Sequence, residues 1–177
     1  MSKDDINNKK SKINPSMEDI LQLLNNLRPV YIKDRISAIE KLKEINPDYL
    51  IDVLRDMINS HDSDMKILAA EAMTLVDFSS TLKFIIPLLN DSDSEVRWSV
   101  CYWLSEQGNE TVIEPLIETL KKDNDATVRS QAAIALGASH DLRAKEALEW
   151  TLKNDHEKDF HGHSVSSVAK IALSNFE

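Results

Sequence analysis

The chain has 177 residues, of which 42% are hydrophobic and 29% are charged, a balance that supports a buried core and excludes wholesale disorder. Its net charge of −9 has the wrong sign for a protein that binds a phosphate backbone, and three glycines are too few for phosphate-cradling loops. A single cysteine, no apolar signal core in MSKDDINNKK and no apolar run approaching ~18 residues favour a cytoplasmic protein without a membrane span.

Residues 1–15 are polar and rich in lysine and asparagine, so we expect a disordered tail. Residues 1–16 carry four lysines and two aspartates, a net charge of +2, which leaves −11 on the rest of the chain. That positive charge is too small to predict a nucleic-acid-binding arm.

Residues of matched chemistry recur along the rest of the chain at a nearly constant interval. The step from one member to the next is 31 or 32, except for a final step of 37 in two of the columns. The columns are Leu23, Leu54, Ile85, Leu116 and Leu148; Leu27, Ile58, Leu89, Leu120 and Leu152; Leu42, Met73, Leu104, Leu136 and Leu173; and Ala38, Ala69, Val100, Ala132 and Ala169. A fixed period of this length is typical of stacked supersecondary repeats.

Each repeat is predicted to be a pair of α-helices, because its apolar residues follow a single helical stripe. In the fourth repeat Ile113, Leu116 and Leu120 form one stripe and Val128 and Ala132 begin the next. We therefore predict helix pairs near residues 16–45, 47–77, 80–107, 111–139 and 142–176, with almost no residue left for strands.

Capping residues mark the predicted starts of three helices. Ser16 is a candidate N-cap of the first helix. Asn46 precedes Pro47, which suits a first helical position. Thr111 and Glu114 form a capping-box pattern at the start of the fourth pair.

Proline and glycine mark predicted ends. Pro87 falls late in its helix and is expected to bend or end it, since it lacks a backbone N–H. Gly108 and Gly137 fall where the second helices of the third and fourth pairs should stop.

Four stretches of the fourth repeat together make up one motif. They are residues 115–120 (PLIETL), 123–125 (DND), 128–129 (VR) and 132–137 (AAIALG), with a weaker copy at 88–97. They resemble a HEAT repeat of the short variety found in phycobilisome lyases. The resemblance covers most of the chain and implies a single domain over residues 16–177. The implied fold is an all-α, right-handed solenoid of about five helix pairs, whose second helices line a broad concave face suited to a macromolecular partner.

Asp91 with Arg97, and Asp123 with Arg129, match the aspartate–arginine pairing, six positions apart, that the resemblance implies. The second repeat matches loosely, and the first and fifth do not. An aspartate before a helix caps it, and an arginine one turn inside can bond turn carbonyls and the neighbouring repeat's aspartate. Recurrence at the repeat period favours a structural ladder over a ligand site.

Trp98 and Tyr102 fall on helix positions that we expect to face outward, toward the concave side. Exposed aromatic side chains bordered by charge have the composition of a partner-binding hot spot. The predicted partner-binding set is Ile67, Trp98, Tyr102, Ile134, Glu71, Arg97 and Arg129. The alternative is that the solenoid curls tightly enough to bury these side chains between repeats.

Residues 154–163 (NDHEKDFHGH) account for the final step of 37, because this segment is longer than its counterparts in the other repeats. Their three histidines, His156, His161 and His163, and three carboxylates could hold a divalent metal such as zinc or nickel. No helical histidine pair and no cysteine accompanies them, so we favour a solvated loop without a metal.

No histidine–aspartate pair is placed to activate Cys101 or any serine, and Cys101 is expected to be a buried structural thiol. We therefore expect a non-catalytic scaffold or adaptor that needs no cofactor and binds another protein, but no nucleic acid or membrane.

The resemblance also allows tetrapyrrole (bilin) handling, as a lyase-like subunit acting with a partner or as an assembly or degradation factor. Trp98 and Tyr102 would then stack on the bilin, and Arg97 would pair with its propionates. A remote alternative is a HEAT-like nucleic-acid enzyme, which needs a basic groove that a charge of −11 does not supply.

The end of the fifth repeat is expected to be apolar, which favours weak self-association through that repeat. The residues concerned are Val165, Val168, Ala169, Ile171 and Leu173.

Overall fold

The computed structural model describes residues 14–27, 32–105 and 109–176. Within these ranges the chain forms nine α-helices and no strand. They are α1 (Met17–Asn25), α2 (Ile32–Glu44), α3 (Pro47–Ile58), α4 (Ser63–Ile85), α5 (Ser94–Ser105), α6 (Ile113–Lys122), α7 (Ala126–Ser139), α8 (Leu142–Asn154) and α9 (Val165–Leu173). Short 3-10 segments cover Ile86–Asn90, Glu110–Val112 and Ser174–Phe176.

Two of the sequence predictions lie outside the described residues. The tail expected over residues 1–15 is described only from residue 14 onward, and Gly108 falls in the second gap. Both remain predictions.

The chain divides into two compact units, the first ending at Thr81 and the second beginning at Leu82. In the C-terminal unit the second helices α5, α7 and α9 pack side by side, and the first helices α6 and α8 pack on them and on each other. The helix pairs thus stack in chain order, and the all-α solenoid fold is confirmed.

The repeating columns form most of the core. In the C-terminal unit Leu104, Leu116 and Leu136 are each at most 1% exposed. Small residues allow α7 to lie between two neighbours, since Ala132 and Ala133 have no exposed surface. Burial of each large side chain contributes about 1.5–3 kcal/mol to folding, so the columns supply the main driving force.

The predicted caps at Ser16 and Asn46 are confirmed. Ser16 Oγ accepts a hydrogen bond from the backbone N–H of Asp19 at 3.2 Å, and Asp19 Oδ2 accepts one from the Ser16 N–H at 3.1 Å. Asn46 Oδ1 accepts from the backbone N–H of Asp48 at 3.0 Å, ahead of Pro47. These side chains satisfy backbone donors that have no partner inside the helix.

The capping box predicted for Thr111 and Glu114 is wrong. Asn109 is the cap instead, because its Oδ1 accepts from the backbone N–H of Thr111 at 2.8 Å and from its hydroxyl at 2.7 Å. A 3-10 turn follows, and α6 begins only at Ile113. Glu114 instead lies 3.5 Å from the Arg143 guanidinium.

Gly137 does not end its helix, although the predicted boundary of this pair at residue 139 agrees with the structure. α7 continues to Ser139, and His140, at φ 54°, adopts the left-handed conformation beyond it. A Cβ atom at position 137 would lie 2.7 Å from Ala172 Cβ and 2.9 Å from Ala172 Cα. Glycine is therefore needed at position 137 for the close approach of α7 and α9.

α4 contains a kink at Asp77, whose backbone has φ −156° and ψ 85°. The buried Thr81 hydroxyl donates to the carbonyl oxygens of Asp77 at 2.6 Å and Met73 at 3.1 Å, which provides those groups with a partner. The helix ends at Ile85, and Pro87 lies in the 3-10 segment that follows. Pro87 therefore marks the end of the α-helix, as predicted.

By length and composition the segment Ser63–Asn90 could cross a membrane, since an 18-residue window within it has a mean hydropathy of 1.4. This differs from the expectation drawn from the sequence. However, 44% of that window is buried within the fold, and the segment contains a buried carboxylate, Glu71, paired with Arg35. A buried carboxylate paired with an arginine is typical of a helix packed within a globular fold.

The contact between Gly137 and Ala172 gives a testable prediction. An alanine at a helix-interior glycine usually stabilises a protein by about 1 kcal/mol. For Gly137→Ala we expect destabilisation by about 1–3 kcal/mol, because the new methyl overlaps Ala172. Chemical denaturation measures the change, and Gly137→Ala/Ala172→Gly should recover part of it. A stabilised Gly137→Ala protein would contradict the close packing.

Candidate functional site

Arg97, in the first turn of α5, joins its own turn to the turn of the next repeat. Its Nη1 donates to the carbonyl oxygens of Asp91 at 2.9 Å and Ser92 at 3.3 Å. Its Nε and Nη2 donate to the two carboxylate oxygens of Asp123 at 2.7 and 2.9 Å. Nη2 also donates to Asn124 Oδ1 at 2.9 Å. Four hydrogen-bond partners thus hold one guanidinium group.

Arg129 on α7 repeats this arrangement one repeat further along. Its Nη1 donates to the Asp123 carbonyl oxygen at 2.8 Å, and its Nε donates to Asp155 Oδ2 at 2.7 Å. Its Nη2 reaches Glu157 Oε2 at 2.7 Å. Asp155 was not among the residues predicted for the ladder. The spacing in the sequence could have identified it, because both arginine–aspartate pairs span 26 residues.

The ladder aspartates also shape their own turns. Each accepts, through Oδ1, the backbone N–H two positions further on, at 3.0 Å for Asp91, 2.9 Å for Asp123 and 3.2 Å for Asp155. Such side-chain bonds stabilise turns, which for Asp91 and Asp123 stand directly before α5 and α7 and for Asp155 begins the segment that leads to α9. Asp123 therefore supports its turn, neutralises Arg97 and offers its carbonyl oxygen to Arg129.

The charged groups of this ladder are mostly shielded from water. The side chains of Arg97 and Arg129 are each 9% exposed, and that of Asp123 is 4% exposed. The hydrogen bond to Asp123 raises the pKa of Arg97 above its ordinary value, against desolvation, which lowers it. The hydrogen bond to Asp155 likewise raises the pKa of Arg129. Both arginines therefore stay charged and committed to these contacts.

The N-terminal unit holds a variant of the same contact. Arg35 Nη1 donates to the carbonyl oxygen of Leu27 and, at 2.6 Å, to Glu71 Oε1. The carboxylate comes from the second helix of the next pair rather than from a turn. Glu71 is only 8% exposed.

Three members of the predicted partner-binding set therefore do not border an exposed patch. Glu71, Arg97 and Arg129 are each 8% exposed and engaged in ion pairs. The reason is that each guanidinium finds a carboxylate in the following repeat. The Arg97 cation that would pair with bilin propionates is likewise not free, because Arg97 already binds Asp123.

The second helices of the C-terminal unit carry exposed apolar side chains. Three of them, Tyr102, Ile134 and Ile171, occupy equivalent positions in their repeats, and Trp98 lies one turn before Tyr102. Trp98 and Tyr102 on α5 are 37% and 45% exposed, and their rings stack with centroids 6.0 Å apart and planes inclined by 7°. Ile134 on α7 is 50% exposed, and Ile171 on α9 is 72% exposed. Because α5, α7 and α9 pack side by side, we call these four residues the apolar face. Ile171 was absent from the predicted set.

The remaining predicted residue, Ile67, belongs to the N-terminal unit and is half-buried there. The predicted set is therefore divided between the two units. Within the C-terminal unit, packing of the repeats leaves Trp98, Tyr102 and Ile134 in contact with solvent.

The long loop of the fifth repeat, residues 155–164, is hydrogen-bonded as well as exposed. Lys158 and Ser164 form an antiparallel bridge, and Gly162 takes φ +83° in the turn between them. Asp159 Oδ1 accepts the backbone N–H groups of His161 at 2.9 Å and His163 at 3.0 Å. We call this segment the fifth-repeat loop.

The described residues contain no group of three or more His, Cys, Asp or Glu arranged to hold a metal ion. His156 Nδ1 lies 3.2 Å from Ser166 Oγ, away from the tip. His161 and His163 lie at the tip with ring centroids 6.2 Å apart. Two carboxylates of the loop, Asp155 and Glu157, bind Arg129 instead.

Cys101 is fully buried, as predicted. Burial raises the pKa of its thiol far above the ordinary value, because the thiolate would lose its hydration. A neutral thiol in the core is no nucleophile.

The end of the fifth repeat is less apolar than expected. Val165, Val168 and Ala169 are at most 9% exposed and belong to the core, and Leu173 is half-buried. Only Ile171 of that group is exposed. The surface from which we inferred self-association is therefore not available.

Comparisons with known proteins agree with this architecture. A family model described as HEAT repeats matches residues 51–137 and, overlapping them, residues 82–169. No curated protein matches the sequence. The crystal structure of an engineered protein is similar, with a TM-score of 0.52 and 21% identity over 89% of this chain and 79% of that one. At this identity the likeness shows the fold alone.

The arginine ladder predicts a large stability loss for Asp123→Ala. Removal of the carboxylate leaves the Arg97 charge buried without its partner, which costs about 3–5 kcal/mol. Glu118→Ala is the matched control, because it breaks a solvent-exposed pair with Lys122 at 2.8 Å, whose loss should hardly change stability. Urea denaturation distinguishes them. Equal losses would show that the ladder contributes no more than a surface pair.

The burial of Cys101 predicts that its thiol resists modification in the native protein. We expect a thiol-alkylating reagent to react at the rate of unfolding or local opening, and at the rate of a free thiol in denaturant. Mass spectrometry of the labelled protein over time measures both rates. Rapid labelling of folded protein would contradict the core position.

Proposed function

The chain belongs to the HEAT repeat family, and we propose that it is a non-catalytic protein-binding module that uses the apolar face of its C-terminal unit. We place this face on the concave side of the repeats. The proposal is carried by one observation, namely four exposed apolar side chains on three adjacent helices, of which Tyr102, Ile134 and Ile171 occupy equivalent positions. Single exposed apolar residues are common, but a contiguous set marks an interaction surface.

The two aromatic residues are suited to be the anchors. Tryptophan and tyrosine bury large areas and dominate binding hot spots in protein interfaces. Trp98 and Tyr102 are one turn apart on a helix, and their stacked rings leave little side-chain freedom to lose on binding. Ile134 and Ile171 extend the same surface across α7 and α9.

The charges of the chain indicate which charges a partner of the apolar face should carry. The arginines nearest in sequence, Arg97 and Arg129, are neutralised within the ladder. The chain as a whole carries −9. A partner with an apolar segment flanked by basic residues therefore fits this surface best, because opposite charge speeds and orients the encounter.

The observations favour this function over bilin handling and over catalysis. A bilin would need a free cation for its propionates, and Arg97 is occupied by Asp123. A thiol enzyme would need an accessible thiolate, and Cys101 is buried. The single buried thiol also suits a reducing compartment such as the cytoplasm.

Affinity capture from host lysate, followed by mass spectrometry, tests the proposal. We compare the wild type with Trp98→Ala/Tyr102→Ala and with Trp150→Ala, a matched control that removes a 48%-exposed tryptophan from α8. Two hot-spot residues together should lower the affinity for a specific partner by about 30-fold or more. The control should bind as the wild type does.

Circular dichroism must show equal helicity in all three proteins. Partners that persist with Trp98→Ala/Tyr102→Ala would refute the proposed face. A coloured tetrapyrrole bound to the captured wild type, or a visible-band shift on titration with bilin, would favour the alternative function instead.

A further inference from the structure

We propose that the partner of the apolar face is an amphipathic α-helix, which lies across α5, α7 and α9 and repeats its apolar contacts every seven residues. This inference rests on the proposed function, because it names the partner of the same face. Three properties of the face carry it, namely the spacing of its side chains, its width and its profile.

The spacing comes from a row of exposed side chains that crosses three helices. Tyr102, Ile134 and Ile171 occupy equivalent positions of α5, α7 and α9, which pack side by side. We call these three residues the middle row. Helices packed side by side have axes about 8–10 Å apart. The middle row therefore presents one large apolar side chain about every 8–10 Å.

Two backbone conformations return to the same side at about this distance. Seven residues of an α-helix rise by about 10.5 Å and end on nearly the same side of the helix. A polyproline II helix does so every three residues, or about 9.3 Å. In a β-strand, residues on one face lie about 6.6 Å or 13 Å apart, so a strand does not match.

The width of the face distinguishes the two remaining conformations. Trp98, Ser130 and Ser167 lie one turn before the middle row, and Ala138 and Asn175 lie four residues after it. We call these two sets the outer rows. On α7 they are eight residues apart, which corresponds to about 12 Å. An α-helix with its side chains is about 10–12 Å in diameter, whereas extended chains lie side by side at only about 4.7–4.9 Å.

The described residues of all three rows are uncharged, although 29% of the chain is charged. α7 has one charged residue, Arg129, which is buried in the ladder. α9 has one, Lys170, which occupies the column of Ala133 and belongs to none of the three rows. Glu106, the remaining member of the second outer row, lies outside the described residues. An uncharged surface of this width suits the broad apolar stripe of an amphipathic helix.

The profile of the face is that of a ridge. The middle row has large side chains, while the outer rows consist mainly of serine, alanine and asparagine. An α-helix accepts a protruding side chain in a hole between four of its own, and such holes recur every seven residues. Tyr102, Ile134 and Ile171 would fill three successive holes of a partner helix of about 22 residues. Trp98, the one large side chain described in an outer row, would contact the end of that helix beside α5.

Peptide selection on the full wild-type chain tests the inference. The probe is a display library of random peptides of about 22 residues, the length that three holes require. We expect the enriched sequences to repeat apolar residues every seven positions, with further ones three or four positions between. Synthetic copies should gain helical circular dichroism on binding, beyond the sum of the separate spectra.

The affinities of a selected peptide for variants of the chain locate the contact. Trp98→Ala/Tyr102→Ala should lower the affinity by about 30-fold or more. Ala138→Glu should lower it by about tenfold or more, because a helix that covers the outer row must bury the new charge. Ser167→Glu is a second outer-row variant. Asn154→Glu, which adds the same charge at an exposed position of α8, is the matched control and should bind normally.

The outcomes separate this inference from the proposed function. Peptides that bind the apolar face with apolar residues at every second or third position, and that tolerate Ala138→Glu and Ser167→Glu, would overturn the helix and leave the proposed function standing. Peptides that bind Trp98→Ala/Tyr102→Ala as well as the wild type, or a selection that enriches none, would overturn both. Circular dichroism establishes that every variant folds.

Discussion

In the C-terminal unit, a buried guanidinium charge on the second helix of one repeat is neutralised by a carboxylate of the following repeat. Apolar columns can stack helix pairs, but they are tolerant of small shifts because hydrophobic contact has no direction. A bidentate ion pair is directional, and breaking it leaves a buried charge. Arg97 with Asp123, and Arg129 with Asp155, therefore fix how the third, fourth and fifth repeats stand against one another.

The ion pairs also keep charged and apolar groups on different parts of the C-terminal unit. The arginines, the aspartates and their backbone partners lie at the turns between the helices. The exposed side of α5 and α7 is left with Trp98, Tyr102 and Ile134, while the arginines of both helices are buried. Burial of these side chains against another apolar surface would be favourable, as the proposed protein-binding role requires.

Much of this architecture could be predicted from the sequence, because a buried stripe that recurs at a nearly constant step is a strong signal. The predictions failed where contact with another residue determines the local structure. A glycine such as Gly137 is typical of a helix end, but here it is required by the close approach of Ala172 on another helix. Thr111 fits a capping box, but Asn109 takes the cap. Arg97 was assigned both to the structural ladder and to the border of a binding patch, and its burial against Asp123 leaves it in the ladder alone.

Asp123 also bears on how such a chain can lengthen or shorten. Its carboxylate receives the arginine of the repeat before it, while its carbonyl oxygen receives the arginine of its own repeat. One repeat therefore contains both partners of the inter-repeat ion pair, an arginine donor for the next repeat and an aspartate acceptor for the previous one. A tandem duplication of one full repeat would form matched ion pairs at both of its ends without any further mutation. The segment that is duplicated in the gene would then be the same segment that stacks in the fold.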